Sequence, residues 1–151
     1  MRLPASSMPL ISPALATTAL GVAAALTFLA ALLHWICIVR GAPVFRFLGA
    51  GEALARMAER GHWYPPLIAF VVGALLALSA AYALAGAGWV APLPGTPYAL
   101  AAVFVLRAVL FPLLKPAFPE NSTRFWWVTS GICLVIGLAY ALGAVGVWPR
   151  A

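Results

Sequence analysis

The chain has 151 residues, 65% of them hydrophobic and 8% charged, with a formal net charge of +6. Soluble domains carry about 25% charged residues, so nine basic and three acidic side chains cannot build a water-soluble surface. The mean hydropathy of +1.04 makes lipid the expected solvent, and the isoelectric point of about 10.2 does not point to nucleic acid. The basic residues lie mostly in short stretches between apolar runs, where they act as topology signals and contacts for anionic head groups.

Four apolar segments follow in order, at about 14–39, 65–87, 97–114 and 125–148. A helix needs roughly 20 apolar residues to cross the hydrocarbon of a bilayer. The third segment is the shortest and carries Arg107 and Pro112. The first reads as a retained span rather than a cleaved signal. Only Arg2 precedes it, three prolines interrupt its approach, and it ends in Trp35 and Arg40 without a small-residue cleavage site. The sequence thus predicts a single all-α domain, an integral membrane four-helix bundle.

Loop charge sets the expected orientation. Arg40, Arg46, Arg56 and Arg60 follow the first span, and Lys115 and Arg124 lie between the third and fourth. The second loop has no charge, and the tails carry only Arg2 and Arg150. The positive-inside rule then places the first and third loops in the cytoplasm and both termini in the periplasm, for a bacterial inner membrane. Trp35, Trp63, Tyr64, Trp126 and Trp127 cluster near the inner ends of the spans, as interfacial aromatics do.

Within the first loop, residues 48–60 are expected to form a short interfacial amphipathic helix. Leu48, Leu54, Met57 and Ala58 share one face, and Glu52 precedes Arg56 at the favourable i, i+4 spacing. Pro43 and Gly61 punctuate the stretch. In the spans, Gly21 with Ala25, Gly73 with Ala77, and Ala139 with Gly143 are small pairs one turn apart that let helices approach closely. Tyr82 and Tyr140 read as hydrogen-bonding packers.

Arg107 is the candidate functional residue. Its guanidinium stays protonated, and a charge at a bilayer centre costs roughly 2.5–3.5 kcal/mol on insertion scales. Counted along ideal helices, His34 lies about 8 Å, Arg107 about 10 Å, and Thr129 and Ser130 about 6–8 Å from the inner ends of their segments. Three segments thus place polar groups in one layer, and the expectation is a ligand-binding pocket of His34, Glu52, Arg107, Thr129 and Ser130 open to the inner face. Three fates stand open for Arg107. Glu52 folds up to pair with it, helped by Gly49 and Gly51. An anionic or lipid-like ligand takes it. Or it snorkels to the interface.

No metal site, cofactor motif, nucleophile elbow or phosphate loop is present, so an enzyme is disfavoured. Cys37 and Cys133 lie within apolar segments and read as small hydrophobes rather than a disulfide. The acceptor sequence Asn121-Ser122-Thr123 falls on the expected cytoplasmic side and is discounted. Expected partners are membrane lipid, a second copy, or a membrane partner protein. The stretch containing GAPVFRFLGAGEALARMAERGHWYP, with FVLRAVL in the third segment and WWVTSGICLVIGLAYALG in the fourth, resembles a group of small uncharacterised four-span inner-membrane proteins of proteobacteria. The resemblance covers about three-quarters of the chain and implies fold and location but no mechanism. The function expected is a small integral membrane protein that binds or moves an anionic or lipid-like ligand. The alternative is a structural or regulatory subunit in which Arg107 pairs with an acid on a partner.

Overall fold

A computed structural model describes residues 11–89 and 96–147. These residues are almost wholly helical and include no strand. Helix α1 spans Pro13–Arg40. Ser12 caps it by accepting a hydrogen bond from the Leu15 amide, and Pro13 sits in the first turn, where its missing N–H is harmless. Gly41, at φ +68°, ends it and donates its amide to the Cys37 carbonyl. Helix α2, Ala42–Phe47, follows at once, then α3, Glu52–Glu59. Helix α4, Tyr64–Leu84, runs on into a π-helical turn at Ala85–Trp89. Helix α5 is Thr96–Val109, α6 is Phe111–Leu114 with a 3-10 turn after it, and α7 is Thr123–Val147.

Three of these elements are long and apolar enough to cross a membrane: Pro13–Arg40, Tyr64–Ala87 and Thr123–Gly146. A fourth exists if α5 and Phe111–Ala117 count as one span, bent by 59°. The third segment is therefore not the straight helix expected over 97–114. Pro112 explains the break. It has no N–H for the Ala108 carbonyl, but it is well tolerated in the first turn of a new helix. The 14 residues of α5 reach about 21 Å, short of the roughly 30 Å of hydrocarbon.

Helix α1 packs against both α4 and α7, and α7 carries α5. One core joins all four: Leu20, Ala23 and Ala24 from α1, Ala80 and Ala83 from α4, Ala101 and Phe104 from α5, and Ile136, Ala139 and Tyr140 from α7. Much of this interior is alanine, while Leu29, Phe70, Leu75, Leu78, Val103 and Leu106 stand exposed on the outer faces. Small inside and large outside is the reverse of a soluble helical domain.

Glycines set the closest approaches. A Cβ on Gly73 would fall 2.3 Å from Trp35 Nε1, and one on Gly143 would fall 2.3 Å from Leu20 Cγ. Of the expected small pairs, these two are used inside the fold, whereas a Cβ on Gly21 would meet nothing within 4 Å. At the centre, the fully buried Tyr140 donates its hydroxyl to the Ser79 carbonyl at 2.8 Å, lies 3.5 Å from Thr27 Oγ1, and stacks on Phe104. Tyr140 thus ties α7 to α4 and α1, as a hydrogen-bonding packer should.

The first loop differs from expectation in two ways. The helix expected over 48–60 begins only at Glu52, because Gly49 and Gly51 adopt φ +69° and +90°, which no right-handed helix contains. Helix α2, which periodicity did not reveal, precedes that turn. The apolar face of α3 is also taken by the protein itself: Ala55 is buried with Phe45, Ala42, Cys37 and Ala69, flanked by Leu54 and Ala58. Helices α2 and α3 so form a plate across the adjoining ends of α1 and α4.

The α5–α7 crossing gives a sharp test. A Cβ at Gly137 would meet the Val105 backbone nitrogen at 3.0 Å and the Ala101 carbonyl at 3.2 Å, whereas Gly131 faces open space. Backbone cannot yield as a side-chain tip can. Gly137→Ala should therefore lower stability by about 1–2 kcal/mol, the overpacking cost exceeding the gain in helix propensity. Gly131→Ala should leave stability equal or raise it by up to about 1 kcal/mol. Thermal unfolding of both variants in one detergent checks the pair.

Candidate functional site around Arg107 and Trp126

The break after Val109 changes the standing of Arg107. It is not in mid-helix but in the last turn of α5. A cation there meets the negative end of the helix dipole, worth about 0.3–1 kcal/mol. Its guanidinium carbon lies 5.2 Å from the ring centre of Trp126. A cation over an indole face contributes about 0.5–1 kcal/mol, and about 2 when desolvated. Together these approach the roughly 2.5–3.5 kcal/mol that a central membrane charge costs.

The antiparallel register of α5 on α7 shows which way the side chain runs. Tyr98 donates to the Ala144 carbonyl, Phe104 stacks on Tyr140, and Val105 abuts Gly137. That register sets the Arg107 backbone well beyond Ser130, yet its guanidinium sits over Trp126, one turn before Ser130. The side chain therefore extends along α7 toward the start of that helix, the direction in which a snorkelling arginine would run.

Three shielded polar atoms on α5 and α7 lack partners. Arg107 Nη1, Trp126 Nε1 and Ser130 Oγ are all shielded, and none has a hydrogen-bond partner among the described residues. Trp126 is 2% exposed and Ser130 5%. Trp126 and Ser130 share a face of α7 at i, i+4 spacing. Two of the three groups can only donate, and the serine can do so too. Each unpaired buried donor costs about 1–3 kcal/mol. The missing complement is an acceptor, and beside a guanidinium an anionic oxygen fits best.

The other expected site residues have different engagements. Glu52 does not reach Arg107. Its Oε2 accepts from Arg46 Nε at 2.9 Å, and its Oε1 accepts from Arg46 Nη2 at 2.8 Å and from Arg56 Nε at 3.2 Å. The fold-up reading of Glu52 is thereby corrected: a closer pair of arginines, brought together by the glycine turn, holds the carboxylate. His34 Nδ1 lies 2.8 Å from the Ala30 carbonyl on its own helix. Thr129 donates to the Phe125 carbonyl at 2.9 Å and approaches that of Trp126 at 3.3 Å. Of the five, Arg107 and Ser130 remain as a candidate site.

Trp126 completes it, although by sequence it reads as an interfacial aromatic. The Trp-x-x-x-Ser spacing on one helical face is the signal that could have found it. Next to Trp126 comes Phe118, with ring centres 6.3 Å apart. Phe118 and Phe125 in turn receive the glycine turn of the first loop, and Asn121 Nδ2 donates to the Gly49 carbonyl at 2.9 Å. No cluster of His, Cys, Asp or Glu suited to a metal occurs among the described residues. No protein-family model, curated protein or solved structure matches the chain. Its functional reading therefore rests on its own residues.

The plate carries a pH signature. The Arg46 and Arg56 guanidiniums hold the Glu52 carboxyl at about 2, against an ordinary 4.5, and Glu52 and Glu59 raise the pKa of Arg46. A depressed acid contributes stability that is complete above its unfolded value and is lost as pH falls through the folded one. Amide exchange in 52–59, corrected for intrinsic rates, should therefore quicken as pH drops from 4.5 to 2, and Glu52→Gln should flatten that dependence. The change should be small, because exposed ion pairs contribute little.

Proposed function

We propose that the chain is a multi-pass protein of a bacterial inner membrane and that it binds a phosphate group, such as that of an anionic lipid, at Arg107, Trp126 and Ser130. The outward leucine, valine and phenylalanine side chains favour a lipid environment, since exposed apolar area on this scale is unusual in soluble monomers. The basic residues of the first and third loops favour a cytoplasmic position for both, with the termini in the periplasm. Exposed Trp63, Phe47 and Trp127 belong to the same end of the molecule and suit a head-group layer.

One observation carries the binding reading: Arg107, stacked on Trp126, and Ser130 one turn along α7 each leave a shielded donor group without an acceptor among the described residues. A phosphate oxygen accepts strongly from a guanidinium and has lone pairs left for the indole N–H and the hydroxyl. A lipid phosphate and a free phosphate share this chemistry. The lipid is favoured because the side chain of Arg107 runs toward the loop end, where head groups would lie.

Native mass spectrometry of protein from nanodiscs tests the reading. Phosphatidylglycerol should be retained over phosphatidylcholine, and Arg107→Gln should reduce that retention about tenfold, equivalent to about 1.4 kcal/mol. Displacement of the lipid by millimolar inorganic phosphate would indicate the free anion instead. Equal retention by Arg107→Gln and the parent would remove the proposal. Orientation is checked separately. An alkaline phosphatase fusion at the C-terminus should be active and a green fluorescent protein fusion there dark.

A further inference from the structure

We infer that α2, α3 and the turn between them form a hinged lid over the Arg107 site, and that lifting its tip admits the phosphate group. This deepens the phosphate-binding reading and rests on it. A continuous stack of contacts leads from the turn to the site. Gly51 faces the Phe118 ring so closely that a Cβ there would lie 3.1 Å from Phe118 Cδ1. Phe118 tilts against Trp126, and Trp126 carries the guanidinium. The neighbouring Gly49 seats on Phe125, where a Cβ would come within 2.1 Å of the ring. The lid tip thus rests on the two aromatic rings, Phe118 and Phe125, that pack against Trp126.

The lid is built to move as one piece. Arg46 on α2 holds Glu52 at 2.8 Å and Glu59 at 2.7 Å, so a single side chain ties α2 to both ends of α3. Glycines bound the piece on both sides. Gly41 and Gly61 have φ of +68° and +69°, and a Cβ on either would meet nothing within 4 Å. Such terminal positions absorb the backbone rotation of a hinge. The attachment at the hinge side is apolar and firm, through Phe45 and Ala55 against Cys37 and Ala69.

The attachment at the tip is lighter. One side-chain hydrogen bond, from Asn121 to the Gly49 carbonyl, latches it to the third loop. A cavity of about 190 Å³ runs beside that latch, lined by Arg46, Gly51, Glu52, Glu120 and Asn121. On that side, between Arg46 and Glu120, the lid edge leaves a gap. Losing the latch removes the polar attachment without touching Arg107, Trp126 or Ser130.

Thiol accessibility in nanodiscs tests the lid without any ligand. Ser130→Cys is placed in a background with Cys37→Ala and Cys133→Ala and is labelled with a water-soluble maleimide. Labelling should be slow in that parent and at least tenfold faster with Asn121→Ala. Gly49→Ala, whose Cβ pushes the tip off Phe125, should act in the same direction. A Thr27→Cys reporter, fully buried elsewhere in the core, should stay slow in both. Unchanged Ser130→Cys rates in both variants, or equal acceleration at Thr27→Cys, would overturn the lid. Acceleration confined to Ser130→Cys, with phosphatidylglycerol retention independent of Arg107, supports the lid and removes the phosphate reading.

Discussion

The guanidinium of Arg107 rests on the indole face of Trp126, and the arrangement of one end of the molecule follows from that contact. A permanent charge within an apolar run has to be answered locally. Helix α5 answers it by stopping two residues later, so that the charge meets a helix C-terminus instead of helix interior. Helix α7 answers it by presenting a buried tryptophan in its first turn. The bend at Pro112 and the docking of Phe118 on Trp126 then fix where the third loop runs. The glycine turn of the first loop closes over that aromatic layer.

What holds the rest of the protein together is different in kind. The long helices touch through alanine and glycine, so their backbones come close and their large side chains point outward. Where one helix must admit a bulky residue of another, a glycine makes the room, as Gly73 does for Trp35 and Gly143 for Leu20. Lipid would give no hydrophobic drive between such helices, so close van der Waals fit and interhelical hydrogen bonds carry the association. Tyr140 supplies the hydrogen bonds at the centre, to Ser79 and Thr27. The shielded donors without partners among the described residues are those of Arg107, Trp126 and Ser130, nearer the start of α7. That division separates a region serving cohesion from the one where the proposed phosphate site lies.

Composition and periodicity alone determined a good deal. The helical class and the bounds of three long helices are legible because about twenty consecutive apolar residues allow few other structures. That Arg107 and Ser130 are polar groups set within apolar runs was legible too, because charge and hydroxyl stand out there. Tertiary structure alone decided the rest. Helix propensity cannot show that Gly49 and Gly51 turn left-handed, since glycine accepts either sign of φ and only the docking on Phe118 and Phe125 selects one. Nor can spacing along one helix show that Glu52 meets Arg46 before it can meet Arg107, because that turn brings α2 and α3 side by side. Trp126 joined the candidate site only through the packing of α5 on α7, which sets Arg107 over its ring. Depth counted along separate helices orders residues in one dimension, and a site needs the two dimensions that packing supplies.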